Sequence, residues 1–431
     1  MFERFVHWEA AGGIVLIAST ATALALANSP WSGLYFDAAR TKIGLSWGDA
    51  SFQLSLQHWI NDLLMAVFFF VVGLEIKREL VIGQLSTLRQ AVLPVSAAAG
   101  GMIVPAGIYA LLNAGGPGAA GWGVPMATDI AFALGILSLF GRRVPTGLKV
   151  FLTALAIADD LGAVLVIALF YSSGLRPSAL LAAAAVLALI ALAPRLGLRS
   201  PSVYVVLALV VWACVLVSGI HATVAGILVA LLVPVRARRA TEDALAVVED
   251  RAAALRANPH TDESLADDRT ALDHIVDLRE AAGGMRPPGL ALEQDLHPFV
   301  AFVVLPLFAF WNAGVTIEGG PFGTLGSPVG FGILAGLVLG KQLGVWVFAW
   351  LAVKTGRAAL PEGVTWAEVY GASCLAGIGL TMSLFVAELA FPDGALLAAS
   401  KVGILAASVV AAAWGALSLH RRLPRIPHGG A

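Results

Sequence analysis

Twelve stretches of mostly apolar residues follow one another along this sequence, and they constrain its fold more than any other feature. They are centred near residues 18, 68, 102, 131, 160, 186, 210, 228, 305, 340, 380 and 409. A helix needs about 20 apolar residues to cross a membrane. The chain is 58% hydrophobic and only 13% charged, whereas soluble domains hold about 25% charged residues. We therefore predict an all-α, multi-pass protein of about twelve transmembrane helices in a lipid bilayer.

Basic residues are distributed unequally over the connecting segments. With the N-terminus in the cytoplasm, most of them fall inside, and the outer segments keep only Arg40, Lys42, Arg176 and Lys401. An excess of Lys and Arg is usual on the cytoplasmic side, so both termini are predicted to face the cytoplasm. Residues 10–28 are interpreted as the first membrane helix rather than a signal peptide, because Glu3 and Glu9 precede the apolar run.

Three regions follow from this pattern. Residues 1–235 hold the first eight predicted helices, and residues 295–431 hold the last four. Residues 236–294 are polar and are interpreted as a cytoplasmic loop with some amphipathic helix. Residues 44–56, on the outer side, alternate around Gly48-Asp49 and predict a β-hairpin. A lone hairpin is marginal in water, so we expect it to pair, for instance with a second protomer.

Two of the apolar stretches carry helix-breaking residues, one in each half of the chain. Pro125 precedes Thr128 and Asp129 in the fourth stretch, and the eleventh, "GASCLAGIGLTMSLFVAEL", contains Gly371, Gly377 and Gly379. Such pairs of interrupted helices are typical of transporters built from inverted repeats. The alternative is that Gly and Pro are simply common in membrane helices.

Four ionisable residues fall near the middle of predicted spans: Asp129, Asp159, Asp160 and Lys341. A charge at the centre of a membrane helix costs about 2.5–3.5 kcal/mol on insertion scales. Four charges that converge partly neutralise one another, so we expect them to form one site. The alternative, an ion pair kept for packing, needs one acid for the lysine and not three.

Adjacent acids in a low-dielectric site cannot both stay ionised cheaply, whereas a small hard cation bound to their oxygens favours both carboxylates. Protons and cation then compete, which predicts antiport, with two protons per monovalent cation as a hypothesis. Asp159 and Asp160 point about 100° apart on a helix, so one is expected to face the cation and the other Lys341. Thr128 offers a hydroxyl and a carbonyl as oxygen ligands, and Asp129 is expected near the positive ends of helices.

The net charge of the chain is −1, which gives no reason to expect a nucleic-acid partner.

At this point the sequence resembles the NhaA family of bacterial sodium/proton antiporters. The motifs include "WINDLLMAVFFFVVGLEIKREL", "ATDIAFALGIL", "ALAIADDLGA", "SGIHATVAG", "LHPFVAFVVLPLFAFWNAGV", "LGKQLG" and "GIGLTMSLF". The resemblance implies twelve helices with two unwound helices that cross near mid-membrane. It also implies electrogenic exchange of Na+ or Li+ for H+ across the inner membrane, activated at alkaline pH, which regulates intracellular pH and sodium. A homodimer through the outer hairpin, no enzymatic activity and no cofactor are implied as well.

Site residues carried over from the family fall on matching motifs. The cation pair falls on Asp159 and Asp160, the unwound-helix residues on Thr128 and Asp129, and the essential lysine on Lys341. Roles in a cytoplasmic funnel and in the pH response fall on Glu75, Arg78, Glu79, His221, Glu293 and His297. This chain departs from the family pattern in having Gln294 where a histidine is frequent, and in its longer polar loop.

Rival functions fit less well. An intramembrane aspartyl protease would place Tyr-Asp and Gly-x-Gly-Asp on separate helices, and neither occurs at Asp129 or Asp159. A prenyltransferase would space its aspartates at i and i+4 near a membrane face. A proton-coupled transporter of another cation or of a small solute remains open. A receptor or a purely structural role does not explain two adjacent aspartates, in the motif "ADD", in the middle of a membrane helix.

Overall fold

The structure is a computed structural model that describes residues 2–47, 50–83, 85–172, 174–198, 200–236, 241–257, 269–316, 324–392 and 394–423. Its described residues form helices and one two-stranded sheet. The helices are α1 (Phe2–Ala27), α2 (Ser32–Arg40), α3 (Leu56–Val81), α4 (Leu88–Leu112), α5 (Ile130–Ser138), α6 (Thr146–Phe170), α7 (Pro177–Leu192), α8 (Pro201–Leu216), α9 (Val224–Leu232), α10 (Thr241–Ala257), α11 (Arg269–Met285), α12 (Pro288–Asn312), α13 (Pro328–Lys354), α14 (Trp366–Leu375), α15 (Leu380–Ala390) and α16 (Ala395–Arg422), with short 3₁₀ helices at Ala119–Met126 and Gly141–Arg143.

Membrane-crossing helices dominate the described part of the chain, which confirms a multi-pass membrane protein. Seven helical segments there are long and apolar enough to cross a bilayer, namely α3, α4, Ala119–Ser138, α6, α12, α13 and α16. Two bent pairs raise the number to nine: α1 with α2, bent by 112°, and α14 with α15, bent by 47°. Helices α7 and α8 are apolar but shorter. The count of twelve stays a prediction.

Prolines set the start of four helices. Pro177, Pro201, Pro288 and Pro328 each occupy the first turn of α7, α8, α12 and α13 respectively. Proline suits that position because its missing N–H has no intrahelical partner there and its φ is already helical. Helix α12 begins at Pro288, inside the segment 236–294 that was predicted as loop, so the loop ends seven residues earlier than predicted.

The two strands of the predicted hairpin are present, whereas its Gly48-Asp49 turn lies outside the described residues. Strand β1 (Lys42–Trp47) pairs antiparallel with β2 (Ala50–Ser55), with Lys42 opposite Ser55 and Trp47 opposite Ala50. Helix α3 follows β2 directly, and the Ser55 hydroxyl caps it by accepting the His58 N–H at 3.1 Å. The end of the molecule that carries this hairpin is called the hairpin side below.

Two glycines bring α4 and α13 into backbone contact. A Cβ on Gly344 would collide with the carbonyl oxygen of Gly100, and a Cβ on Gly100 would collide with that of Gly344. Small residues permit this approach, which is common between membrane helices. Lys341 lies one turn before Gly344 and is thereby held in the protein interior.

Gly371 does not interrupt its helix, contrary to the prediction for the eleventh stretch. It lies within α14, where a Cβ would strike the side chain of Leu419 on α16. Its small size therefore serves helix packing, and the break falls at residues 376–379.

Candidate functional site

Two non-helical segments meet inside the protein. Residues 127–129 separate the Ala119–Met126 helix from α5, and residues 376–379 separate α14 from α15. The Asp129 N–H donates to the Ile378 carbonyl at 2.7 Å, and the Thr128 hydroxyl donates to the Ala376 carbonyl at 2.9 Å. Each break thus supplies partners for polar groups of the other, as buried backbone requires.

Asp129 caps two helices at once. Its Oδ1 accepts the Phe132 N–H at 3.0 Å at the start of α5. Its Oδ2 accepts the Thr381 N–H at 3.0 Å and the Thr381 hydroxyl at 2.6 Å at the start of α15. Helix N-termini carry partial positive charge, so one carboxylate here balances two of them. With three donors bound, Asp129 is engaged in holding the broken helices together.

Replacing Thr381 with valine is expected to destabilise the protein by about 1–3 kcal/mol, because a buried hydrogen bond to a carboxylate is lost. The free energy of unfolding in detergent measures the effect. Thr355→Val is the matched control, since the exposed Thr355 hydroxyl bonds the end of its own helix, to Leu351 O at 2.8 Å and Ala352 O at 3.2 Å. Equal losses in both variants would show that the cap adds nothing.

Lys341 is completely buried and pairs with Asp159. Its Nζ lies 2.8 Å from both carboxylate oxygens of Asp159. It also donates to the carbonyl of Met126, the last residue of the 3₁₀ helix before the break. A cation at a helix C-terminus is favourable. Of the two neighbouring aspartates, Asp159 is therefore the one that faces the lysine.

Asp160 has a different environment although it is equally buried. Both of its carboxylate oxygens are shielded from solvent and accept no hydrogen bond from any residue in the described ranges. The acidic groups close enough to act on it electrostatically are Asp159, Asp129 and Glu75. A buried carboxylate without donors is costly when ionised. This position therefore favours a proton or a cation on Asp160.

Thr128 completes the surroundings of the acid pair. Its hydroxyl and backbone N–H face the Asp159 carboxylate. In the described ranges, no group of three or more His, Cys, Asp or Glu side chains is arranged to hold a metal ion.

Five of the six residues assigned to the funnel and pH response come together. Arg78 pairs with Glu293 and lies 3.1 Å from Glu79. His297 Nδ1 lies 3.7 Å from Glu75 Oε1. These five residues, called the Arg78 cluster below, join α3 to α12 at the end away from the hairpin.

His221 lies elsewhere. It sits in the turn between α8 and α9, where its carbonyl accepts the Val224 N–H at 3.1 Å. Its ring packs edge-on against Phe385 of α15, with 5.7 Å between ring centroids. The structure therefore does not group His221 with the Arg78 cluster.

One polar network was missed by the sequence analysis. It contains Gln57, Asn61, Asn312, Glu388 and Lys401. Lys401 had been counted with the outer segments, but it lies inside α16, is buried and pairs with Glu388. The polar residues in "WIND", "FWNAG" and "ASKVG", which lie inside or beside apolar stretches, could have indicated this network.

Comparison with known proteins identifies the family. A profile of the family described as Na+/H+ antiporter 1 matches residues 3–419. The chain is 49% identical to the Na+/H+ antiporter NhaA of Oleidesulfovibrio alaskensis over 98% of this chain and 94% of that protein. It is 48% identical to those of Koribacter versatilis (98% and 91% covered) and Acidithiobacillus ferrooxidans (97% and 96% covered). Because the match spans both broken helices and the acid pair, the chain belongs to the Na+/H+ antiporter 1 family, as the motifs predict.

Proposed function

We propose that the protein is an electrogenic antiporter that exports Na+ or Li+ in exchange for two protons per cation, and so regulates intracellular pH and sodium. The observation that carries the proposal is the asymmetry of the acid pair. Asp160 is buried and accepts no hydrogen bond from any described residue, whereas the charge of its neighbour Asp159 is balanced by Lys341. Asp160 can thus take a cation or a proton directly, whereas Asp159 can bind a cation only after it separates from the Lys341 ammonium.

The exchange follows from charge balance. A cation that enters binds Asp160 and draws Asp159 away from Lys341, with Thr128 contributing oxygen. One proton leaves Asp160, and the second leaves the Asp159–Lys341 pair, which titrates as a unit. When the cation departs on the other side, one proton returns to the Asp159–Lys341 pair, which re-forms, and a second proton returns to Asp160. Two positive charges move against one, which makes the exchange electrogenic.

The membrane arrangement belongs to the same proposal. Twelve helices form inverted repeats, and the two breaks cross near mid-membrane, which suits their mutual hydrogen bonds. Both termini face the cytoplasm of the inner membrane, as the distribution of basic residues favours. The hairpin then lies outside, and the protein forms a homodimer through it. Two strands without a further sheet neighbour in the described ranges support such pairing.

The Arg78 cluster is proposed to sense pH. Arg78→Gln removes the positive charge with which the Glu293 carboxylate pairs and leaves that carboxylate without its counter-charge. The pH of half-maximal exchange is therefore expected to move upward, with maximal exchange retained. A pH series of exchange rates in vesicles measures the shift. Arg89→Gln, on an exposed side chain of α4, is the matched control. An unchanged profile in Arg78→Gln would remove the cluster from the pH response.

Inverted membrane vesicles from cells that lack their own sodium antiporters test the function. Respiration acidifies the vesicles, a fluorescent amine reports the pH gradient, and Na+, Li+ or K+ is added at pH 7 and at pH 8.5. Na+ and Li+ are expected to collapse the gradient and K+ is not. If inserted, folded protein responds to none of the three, the proton-coupled transport of another solute replaces this proposal.

A further inference from the structure

The hairpin-side ends of α3 and α12 are joined by side-chain amides. Asn61 and Asn312 exchange two hydrogen bonds, at 2.7 and 3.2 Å. Gln57 Nε2 donates to the same Asn312 oxygen at 3.1 Å. Asn312 is completely buried. Since the Arg78 cluster joins these two helices at their other ends, the pair is tied by polar groups at both ends.

An ion pair connects this amide group to the broken helix. Glu388, near the end of α15, lies 2.7 Å from Lys401 Nζ on α16. The same Glu388 oxygen accepts Gln57 Nε2 at 3.5 Å. Only 11% of the Glu388 side chain and 9% of the Lys401 side chain are exposed. Buried ion pairs add little to stability compared with apolar packing. Stability alone therefore does not explain the Glu388–Lys401 pair.

The position of the network supplies that reason. Glu388 lies seven residues after Thr381, which contacts Asp129, and so about 10 Å along α15 from the centre of the site. Between them, the buried Phe385 ring packs against Phe69 of α3 and Phe308 of α12, with centroid distances of 5.6 and 6.1 Å. Aromatic packing thus fills the space between α15 and the α3–α12 pair, on the side of the polar network that faces the acid pair.

We propose that Gln57, Asn312, Glu388 and Lys401 form a latch that keeps the hairpin side of the transport route closed. The inference rests on the proposed antiport, because a site that faces two sides in turn must separate α15 from α3 and α12 on one of them. Opening breaks the contacts of Gln57 with Glu388 and Asn312, and Lys401 then remains as the partner that keeps the Glu388 charge balanced.

Thiol accessibility tests the latch. The full-length chain carries Cys214→Ser and Cys374→Ser, with Ala309→Cys as reporter, one turn inside Asn312 and fully buried. A membrane-impermeant thiol reagent is added in turn to intact cells and to inverted vesicles. Glu388→Gln is expected to speed modification from the hairpin side by about tenfold, as losing one partner of a buried pair weakens the closed state. Gln57→Leu, which leaves no unpaired charge, is expected to act in the same direction.

Matched variants separate a latch from general loosening. Asp277→Asn breaks the ion pair that Arg251 makes with Asp277 between α11 and α10, at 3.0 Å, and is expected to leave the rate unchanged. The exchange Glu388→Lys with Lys401→Glu is expected to restore slow modification. Unchanged rates in both Glu388→Gln and Gln57→Leu overturn the latch, and so does equal acceleration from both membrane sides. Because modification requires no ion exchange, loss of the antiport proposal in the vesicle assay would be seen separately.

Discussion

Asp160→Asn is expected to abolish Na+/H+ exchange in a protein that still folds. The amide neither releases a proton nor carries the charge that balances Na+. The Asp160 oxygens accept no hydrogen bond from the described residues, so the substitution breaks none of the contacts described here. Because Asp160 is proposed to hold a proton when no cation is bound, the amide replaces a neutral group, and the free energy of unfolding is expected to change by less than about 1 kcal/mol. Exchange assays in vesicles measure the loss of transport, and denaturant unfolding in detergent measures the free energy of unfolding.

The control for Asp160→Asn is Asp277→Asn, the same chemical change on a partly exposed carboxylate outside the membrane helices. It is expected to leave exchange at the parent level. Full exchange by Asp160→Asn would refute the proposed mechanism. A protein that no longer inserts or folds would contradict the environment assigned to Asp160.

Asp159→Asn is expected to abolish exchange and also to destabilise the protein by about 3–5 kcal/mol, because it leaves the Lys341 ammonium buried without its counter-charge. The double variant Asp159→Asn with Lys341→Met removes both charges. Its stability is expected to return to within about 1–2 kcal/mol of the parent, since neutral pairs replace buried ion pairs at little cost. Exchange is expected to remain absent.

A double-mutant cycle on the free energies of unfolding measures this coupling. The two single variants and the double variant are compared with the parent under the same detergent and pH. Destabilisations that simply add would mean that Lys341 and Asp159 do not depend on each other. That outcome would remove the internal charge exchange from the mechanism, even with Asp160 essential.

Much of the site was predictable because charges are expensive in lipid. That cost alone singled out Asp129, Asp159, Asp160 and Lys341, and all four are at most 1% exposed. Pro125 and the Gly377/Gly379 pair likewise indicated the two breaks, because such residues disrupt helices. The alternation of residues 44–56 gave the hairpin.

Other features depend on which helices become neighbours, and a single sequence does not reveal that. Either aspartate could have faced Lys341, and the packing of α4 against both α13 and α6 brings Asp159 to the lysine. The double cap by Asp129 requires α15 to start beside α5. Glu388 and Lys401 are thirteen positions apart on separate helices. The sequence alone therefore suggests two exposed charges, and their pairing in the interior follows only from the packing of the helices.

Proton and cation competition at one site is the central claim, and it is tested most directly by transport currents of the purified protein reconstituted on a solid support. The apparent KM for Na+ is measured over a series of pH values. We expect KM to rise by about tenfold for each unit of falling pH per competing proton, with the maximal current at saturating Na+ unchanged. A KM that stays constant while the maximal current falls would contradict competition and would place the pH effect outside the acid pair.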